Sequence, residues 1–86
     1  MMKRKIYQSG TTVYETFSER LIMIMNERGI RSRDLAEQTY VTRSTISDYR
    51  TGHHYPNIEQ LKLLAVCLHV TTDFLLGLSD EYNTNE

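Results

Sequence analysis

The segment TRSTISD, residues 42–48, gathers Thr42, Arg43, Ser44, Thr45, Ser47 and Asp48 around one apolar residue, Ile46. No nucleophile is paired with a base here; the chemistry on offer is hydrogen bonding. Leu35, Ala36, Val41, Ile46 and Tyr49 are spaced to meet on the inside of two short helices that cross at a tight turn. Ala36 is the small residue that lets the second helix approach the first. The hydroxyls, the carboxylate and the arginine then point outward. A helix with a small, hydrogen-bonding outer face fits the major groove and reaches base edges, where arginine suits guanine O6 and N7. Arg43 is either such a reader or a solvated surface arginine, and its place at the start of the helix favours DNA. Asp48 is unexpected beside phosphates. It either accepts from a cytosine N4 or orients Arg43 or Ser44.

Other reactive side chains point nowhere so specific. His53, His54, Cys67 and His69 match no common zinc spacing, and Cys67 falls inside a helical pattern beside core residues, so it reads as a small buried hydrophobe. We expect no metal and no cofactor. There is no glycine-rich phosphate loop and no carboxylate pair, so no catalytic residue is assigned and enzyme activity is not expected. Tyr40 and Tyr49 could stack on sugars, but Tyr49 has core spacing with its hydroxyl at the rim.

The elements that must position this segment are short helices. Thr16 with Glu19 forms a capping box for a first helix carrying Phe17, Leu21, Ile24 and Met25, stopped by Gly29. A second helix opens at Arg31 or Ser32 and runs to about Gln38. Thr42 caps the third, which ends near Arg50 with Gly52 beyond it. After the loop His53-His54-Tyr55-Pro56, Asn57 and Gln60 read as another capping box, with Ile58, Leu61, Leu64, Ala65 and Leu68 turned inward. Thr71 caps a last helix carrying Phe74, Leu75 and Leu76, closed by Gly77. The organisation is an N-terminal arm over residues 1–15, a helical domain over 16–78 and a polar tail over 79–86. In the arm, Lys3, Ile6 and Tyr7 could pair with Thr11, Val13 and Tyr14 as a hairpin across Ser9-Gly10, or stay a flexible strand of chain.

With 86 residues, one proline, four glycines and one cysteine, the economical architecture is all-α: a compact bundle of five helices with short connections. A lone cysteine fits a reducing compartment, and neither a signal peptide nor a membrane span is expected, so the location expected is cytoplasmic. The net charge of −1 is unlike that of a generic polyanion binder. Its distribution is more telling. Arg28, Arg31, Arg33, Arg43 and Arg50 outnumber Asp34, Glu37 and Asp48 around the proposed reading helix. In residues 57–86, Lys62 stands against Glu59, Asp73, Asp80, Glu81 and Glu86. Such a dipole orients a protein on DNA even when its total charge is near zero.

From Phe17 to Leu78 the chain resembles the repressor-type helix-turn-helix family (lambda-repressor-like, XRE/Cro). The resemblance rests on Leu35-Ala36, on TRSTISDYRTG, on Pro56 before a capped helix, and on the ending LLAVCLHVTTDFLLG. It implies a five-helix fold with the helix-turn-helix at the second and third helices. It implies base contacts from Thr42, Arg43, Ser44, Ser47 and Asp48, and phosphate contacts from Ser32, Thr51, His53 and His54. Four positions depart from the family pattern. Tyr40 replaces the turn glycine, Arg31 replaces a Ser or Thr cap, and Met25 with Arg50 replaces a buried ion pair, freeing Arg50 for a phosphate. Ile22, Met23, Leu63 and Val66 are apolar where the family is polar. The function expected is a sequence-specific DNA-binding transcriptional regulator, a repressor, acting on double-stranded DNA as a homodimer. The seam is expected at Phe74, Leu75 and neighbouring residues of the fourth helix, with the arm, through Ile6, Tyr7, Val13 and Tyr14, covering the first helix. The alternatives are a protein-interaction module on the same fold and the antitoxin of a toxin pair; a regulatory protein partner is compatible with each.

Overall fold

Helix breakers and caps set the boundaries seen in the computed structural model, which describes residues 5–7, 11–13 and 16–81. Two three-residue strands, β1 (Lys5–Tyr7) and β2 (Thr11–Val13), pair antiparallel with Ile6 opposite Thr12. The hairpin reading of the arm therefore holds for those residues. The expected cover of the first helix by Ile6, Tyr7, Val13 and Tyr14 concerns side chains outside the described residues.

Five helices follow: α1 (Phe17–Arg28), α2 (Ser32–Thr39), α3 (Arg43–Thr51), α4 (Ile58–Leu68) and α5 (Thr72–Leu76). The all-α, five-helix expectation stands. The α1 capping box is complete, with the Glu19 carboxylate accepting from the Thr16 N–H at 3.0 Å and Thr16 Oγ1 accepting from the Glu19 N–H at 3.3 Å. At α4 only half of the expected box forms. Asn57 Oδ1 accepts from the Gln60 N–H at 2.8 Å, but the Gln60 Nε2 is buried without a hydrogen bond among the described residues.

The core takes one face from every helix: Phe17, Leu21, Ile24 and Met25; Leu35 and Ala36; Ile46 and Tyr49; Leu64, Ala65 and Leu68; then Val70, Phe74 and Leu75. Two expectations are corrected here. Ile58 is 81% exposed, because it is the first residue of α4 and projects beyond the end of the core. Phe74 and Leu75, expected at a dimer seam, are 1% and 0% exposed, and so are spent inside the chain's own core. Among the described residues, the large hydrophobic side chains left exposed are Met23, Tyr40, Tyr55, Ile58, Val66, Leu76 and Leu78.

Polar side chains clamp this frame. Arg20 lies 4.4 Å over the Phe74 ring while donating to the Ser79 carbonyl at 3.0 Å and to Asp80 Oδ1 at 2.9 Å. Arg28 donates to the Leu68 and His69 carbonyls, a cation at the C-terminus of α4 where the helix dipole favours it. Ser18 Oγ donates to the Tyr49 carbonyl at 2.7 Å, fixing the end of α3 against α1. Among the described residues, no helix is long and apolar enough to cross a membrane.

Candidate nucleic-acid interface

The turn between α2 and α3 is built on a residue that normally avoids its shape. Tyr40 has φ 63 and ψ 38, and its N–H and that of Val41 close onto the Glu37 and Ala36 carbonyls. A side chain in this left-handed region costs about 1–2 kcal/mol. The Tyr40 ring recovers nothing by packing, being 86% exposed. Val41 then tucks against the core and Thr42 opens α3, its Oγ1 accepting from the Thr45 N–H at 3.1 Å.

With Ile46 and Tyr49 buried, the opposite side of α3 is fixed outward. Thr42, Arg43, Ser44 and Ser47 are exposed and Asp48 is half-buried. Residues three and four apart share a helix face, so Arg43, Ser44, Ser47 and Asp48 form one stripe. Arg43 makes no hydrogen bond or ion pair with another described residue. Thr42 is partly committed, since its hydroxyl caps the helix and lies 3.0 Å from Thr45 Oγ1.

The expected phosphate-holding residues fall into two groups. Ser32 and Arg50, 18 residues apart, meet: Arg50 NH1 donates to Ser32 Oγ at 2.9 Å. Arg50 is therefore not wholly free, although its buried Nε has no hydrogen-bond partner among the described residues. This contact brings a guanidinium to the start of α2, whose N-cap residue, Arg31, supplies no side-chain acceptor. An uncapped helix N-terminus with a cation beside it suits an anion. Ser32 does not act as the cap.

The second group flanks Gly52, which takes φ 83. Thr51 Oγ1 lies 2.6 Å from His53 Nδ1, and His54 Nδ1 lies 3.1 Å from Asp48 Oδ2. Of the two roles expected for Asp48, orienting Arg43 or Ser44 gives way to a contact with a loop histidine among the described residues. Reasoning from sequence missed this pair, the Arg50–Ser32 contact and the left-handed His69 (φ 60) at the end of α4. Only the last had a local signal, a polar residue between Leu68 and the Val70-Thr71 that opens α5.

Burial pushes the Tyr49 phenol and the Cys67 thiol above their ordinary values. Cys67 is half-buried against the core, with Sγ 3.9 Å from the Gln38 carbonyl. No group of three or more potential metal ligands gathers among the described residues.

Comparison with known proteins agrees with this geometry. A family model described as helix-turn-helix matches residues 21–75, from α1 into α5. The HTH-type transcriptional activator BcrR of Enterococcus faecalis is 40% identical over 61 residues, which are 71% of this chain and 30% of that protein. The chain thus spans less than a third of that relative's length. The P22 c2 repressor, solved in complex with a synthetic operator, superposes with a TM-score of 0.71 at 26% identity, over 76% of this chain and 98% of that one. The solution structure of the P22 c2 repressor's DNA-binding domain gives 0.71 at 29% identity, over 83% and 92%. A transcriptional regulator from Listeria innocua gives 0.68 at 26% identity, over 98% and 68%.

Proposed function

Because the chain belongs to the repressor-type helix-turn-helix family, we propose that it is a sequence-specific DNA-binding transcriptional regulator that lays α3 in the major groove. The observation that carries this reading is the outward stripe of α3, with Arg43 exposed and without a partner among the described residues while the opposite face is locked into the core. Arg43, Ser44, Ser47 and Asp48 are assigned to base edges, together with the Thr42 hydroxyl at the helix start. Ser32, Arg50, Thr51, His53 and His54 are assigned to the flanking backbone, where the open start of α2 and the Arg50 guanidinium meet one phosphate. No catalytic step and no cofactor belongs to this reading, and its place of action is the cytoplasm.

We assign it to repression by occupancy, on the likeness to the P22 c2 repressor, nearly the whole of whose solved chain is matched. The BcrR relative, named as an activator, is the case for the opposite sign. A homodimer on two half-sites about 34 Å apart suits a reading helix this short. The wet residues Val66, Leu76 and Leu78, not Phe74 and Leu75, are the apolar surface left for a seam.

Selection from randomised duplexes, followed by gel shifts of the recovered site and its scrambled counterpart, tests the central statement. Equal affinity for the two would overturn it. A reporter carrying the recovered site upstream of a promoter reads the sign, and sedimentation with and without that duplex reads the stoichiometry.

A further inference from the structure

A carboxylate on a DNA-facing helix is out of place, because phosphates repel it and it releases no counterion. Asp48 is nevertheless held there rather than turned away. Gly52 folds the chain back so that the His53 and His54 N–H groups both reach the Asp48 carbonyl, at 3.0 and 3.4 Å. That return brings the His54 ring over the Asp48 side chain, with Nδ1 at 3.1 Å from Oδ2. We propose that His54 is a positioning residue for Asp48: it fixes the carboxylate so that Oδ1 accepts from a cytosine N4 amino group, and its proton couples DNA binding to pH. This rests on the regulator reading above and replaces the role of His54 as a simple phosphate contact.

The charge argument gives the sign. With His54 neutral the pair carries one negative charge toward the DNA, and with His54 protonated it carries none. A polyanion favours the protonated pair, so the complex holds more protons than the free chain and affinity rises as pH falls. Histidine is the side chain whose ordinary titration lies between pH 5 and 8. His53 faces the Thr51 hydroxyl, and from α1 the neighbours of this region are the uncharged Phe17 ring, edge-on to Tyr49 and Tyr55, and the Ser18 hydroxyl. Asp48 is the ion-pair partner that His54 has among the described residues.

The experiment measures dissociation constants of the full chain at pH 6 and pH 8, on the duplex recovered by selection and on its scramble. For the unaltered chain, affinity for the selected duplex rises about three- to tenfold from pH 8 to pH 6, with a salt slope steeper by up to about 0.9. His54→Asn, whose amide N–H replaces the ring N–H, keeps the base preference and loses most of the pH dependence. His54→Ala loses both, and Asp48→Asn with His54→Ala shows the base preference of Asp48→Asn alone. Both side chains of the pair are solvent-accessible, so these variants fold, which circular dichroism checks. An Asp48→Asn chain with the original base preference, or a His54→Asn chain with the original pH dependence, would overturn the proposal. An unchanged base preference in His54→Ala would equally overturn it. A chain with no preference for any duplex would instead remove the regulator reading, and the pair with it.

Discussion

Arg20 and Arg28 on one side of the molecule, and Arg31, Arg43 and Arg50 on the other, put the same side chain to different uses. On the side of α1 and the C-terminal segment, Arg20 is 2% exposed and its guanidinium ends on an aromatic face, a carbonyl and a carboxylate. Arg28 ends likewise on two carbonyls of the α4 terminus. Around α2 and α3, Arg31 caps nothing with its side chain, Arg43 has no hydrogen-bond or ion-pair partner among the described residues, and Arg50 donates to the Ser32 hydroxyl. A guanidinium spent on partners inside the chain reads as structure, whereas an exposed one with no partner among the described residues is available to a ligand. The first region holds the fold. The second is the one proposed to meet the anionic backbone of DNA.

The sharpest break of that contrast is to exchange consequences between regions. Arg20→Ala removes a guanidinium packed on Phe74 and leaves the Ser79 carbonyl without its donor. We expect a loss of about 3 kcal/mol in stability, read by urea unfolding, because packing and charged hydrogen bonds go together. Binding to DNA, measured well below the unfolding midpoint, stays as it was. Arg43→Ala is the converse. Its stability shifts by less than about 0.5 kcal/mol, while discrimination at one base pair falls by about 1–3 kcal/mol. An Arg43→Ala variant that unfolds early, or selects an unchanged consensus, breaks the division.

Which parts of this were legible in the residues follows from range. Thr16 with Glu19, Thr42 and Gly52 act within a few residues of themselves, so their types declare their roles, and the boundaries of α1 and α3 were readable. Core faces were readable too, since Leu21, Ile24, Leu35, Ile46 and Leu64 recur at helical spacing. Periodicity failed at Ile58, where the pattern continues one position past the core it points to. It failed also at Phe74 and Leu75, because apolar character does not say whether the cover comes from the same chain. Contacts between distant residues left no local trace: Ser32 with Arg50, Asp48 with His54, and Arg20 with Ser79 and Asp80. The outward stripe of α3 was legible because its buried side was.

A milder test sits on the border between the two regions. Arg50 is partly committed, through Ser32, and partly open. Arg50→Ala should cost about 1 kcal/mol of stability, the value of one part-buried hydrogen bond. Its larger effect should be on affinity, falling alike for selected and scrambled duplexes, with the salt slope shallower by about 0.9. Loss confined to the selected duplex would move Arg50 from the backbone to the bases. Stability loss alone would place it with Arg20 and Arg28.

The smallest effect concerns two left-handed residues, one in each region. Tyr40 joins α2 to α3 and His69 ends α4, with φ 63 and φ 60. Glycine relieves a strain of about 1–2 kcal/mol at such a position but adds about 0.5–1 kcal/mol of backbone entropy in the unfolded chain. The Tyr40 ring is exposed, so Tyr40→Gly removes little buried area and should raise stability by about 0.5–1 kcal/mol. His69→Gly should gain a similar amount, since Arg28 bonds the His69 carbonyl rather than its ring. The two then part company in binding. His69 lies on the satisfied side, so His69→Gly should leave the dissociation constant alone. Tyr40 lies at the turn that delivers α3, and retaining a strained, exposed ring there has no return within the fold. Tyr40→Gly should therefore stabilise the chain yet weaken DNA binding by a few-fold, as loss of a ring contact with a sugar would. A thermal melt and a gel shift on each variant decide it. Equal gains in stability with no change in binding for either would make Tyr40 a tolerated strain, and would leave the open character of this region to its arginines alone.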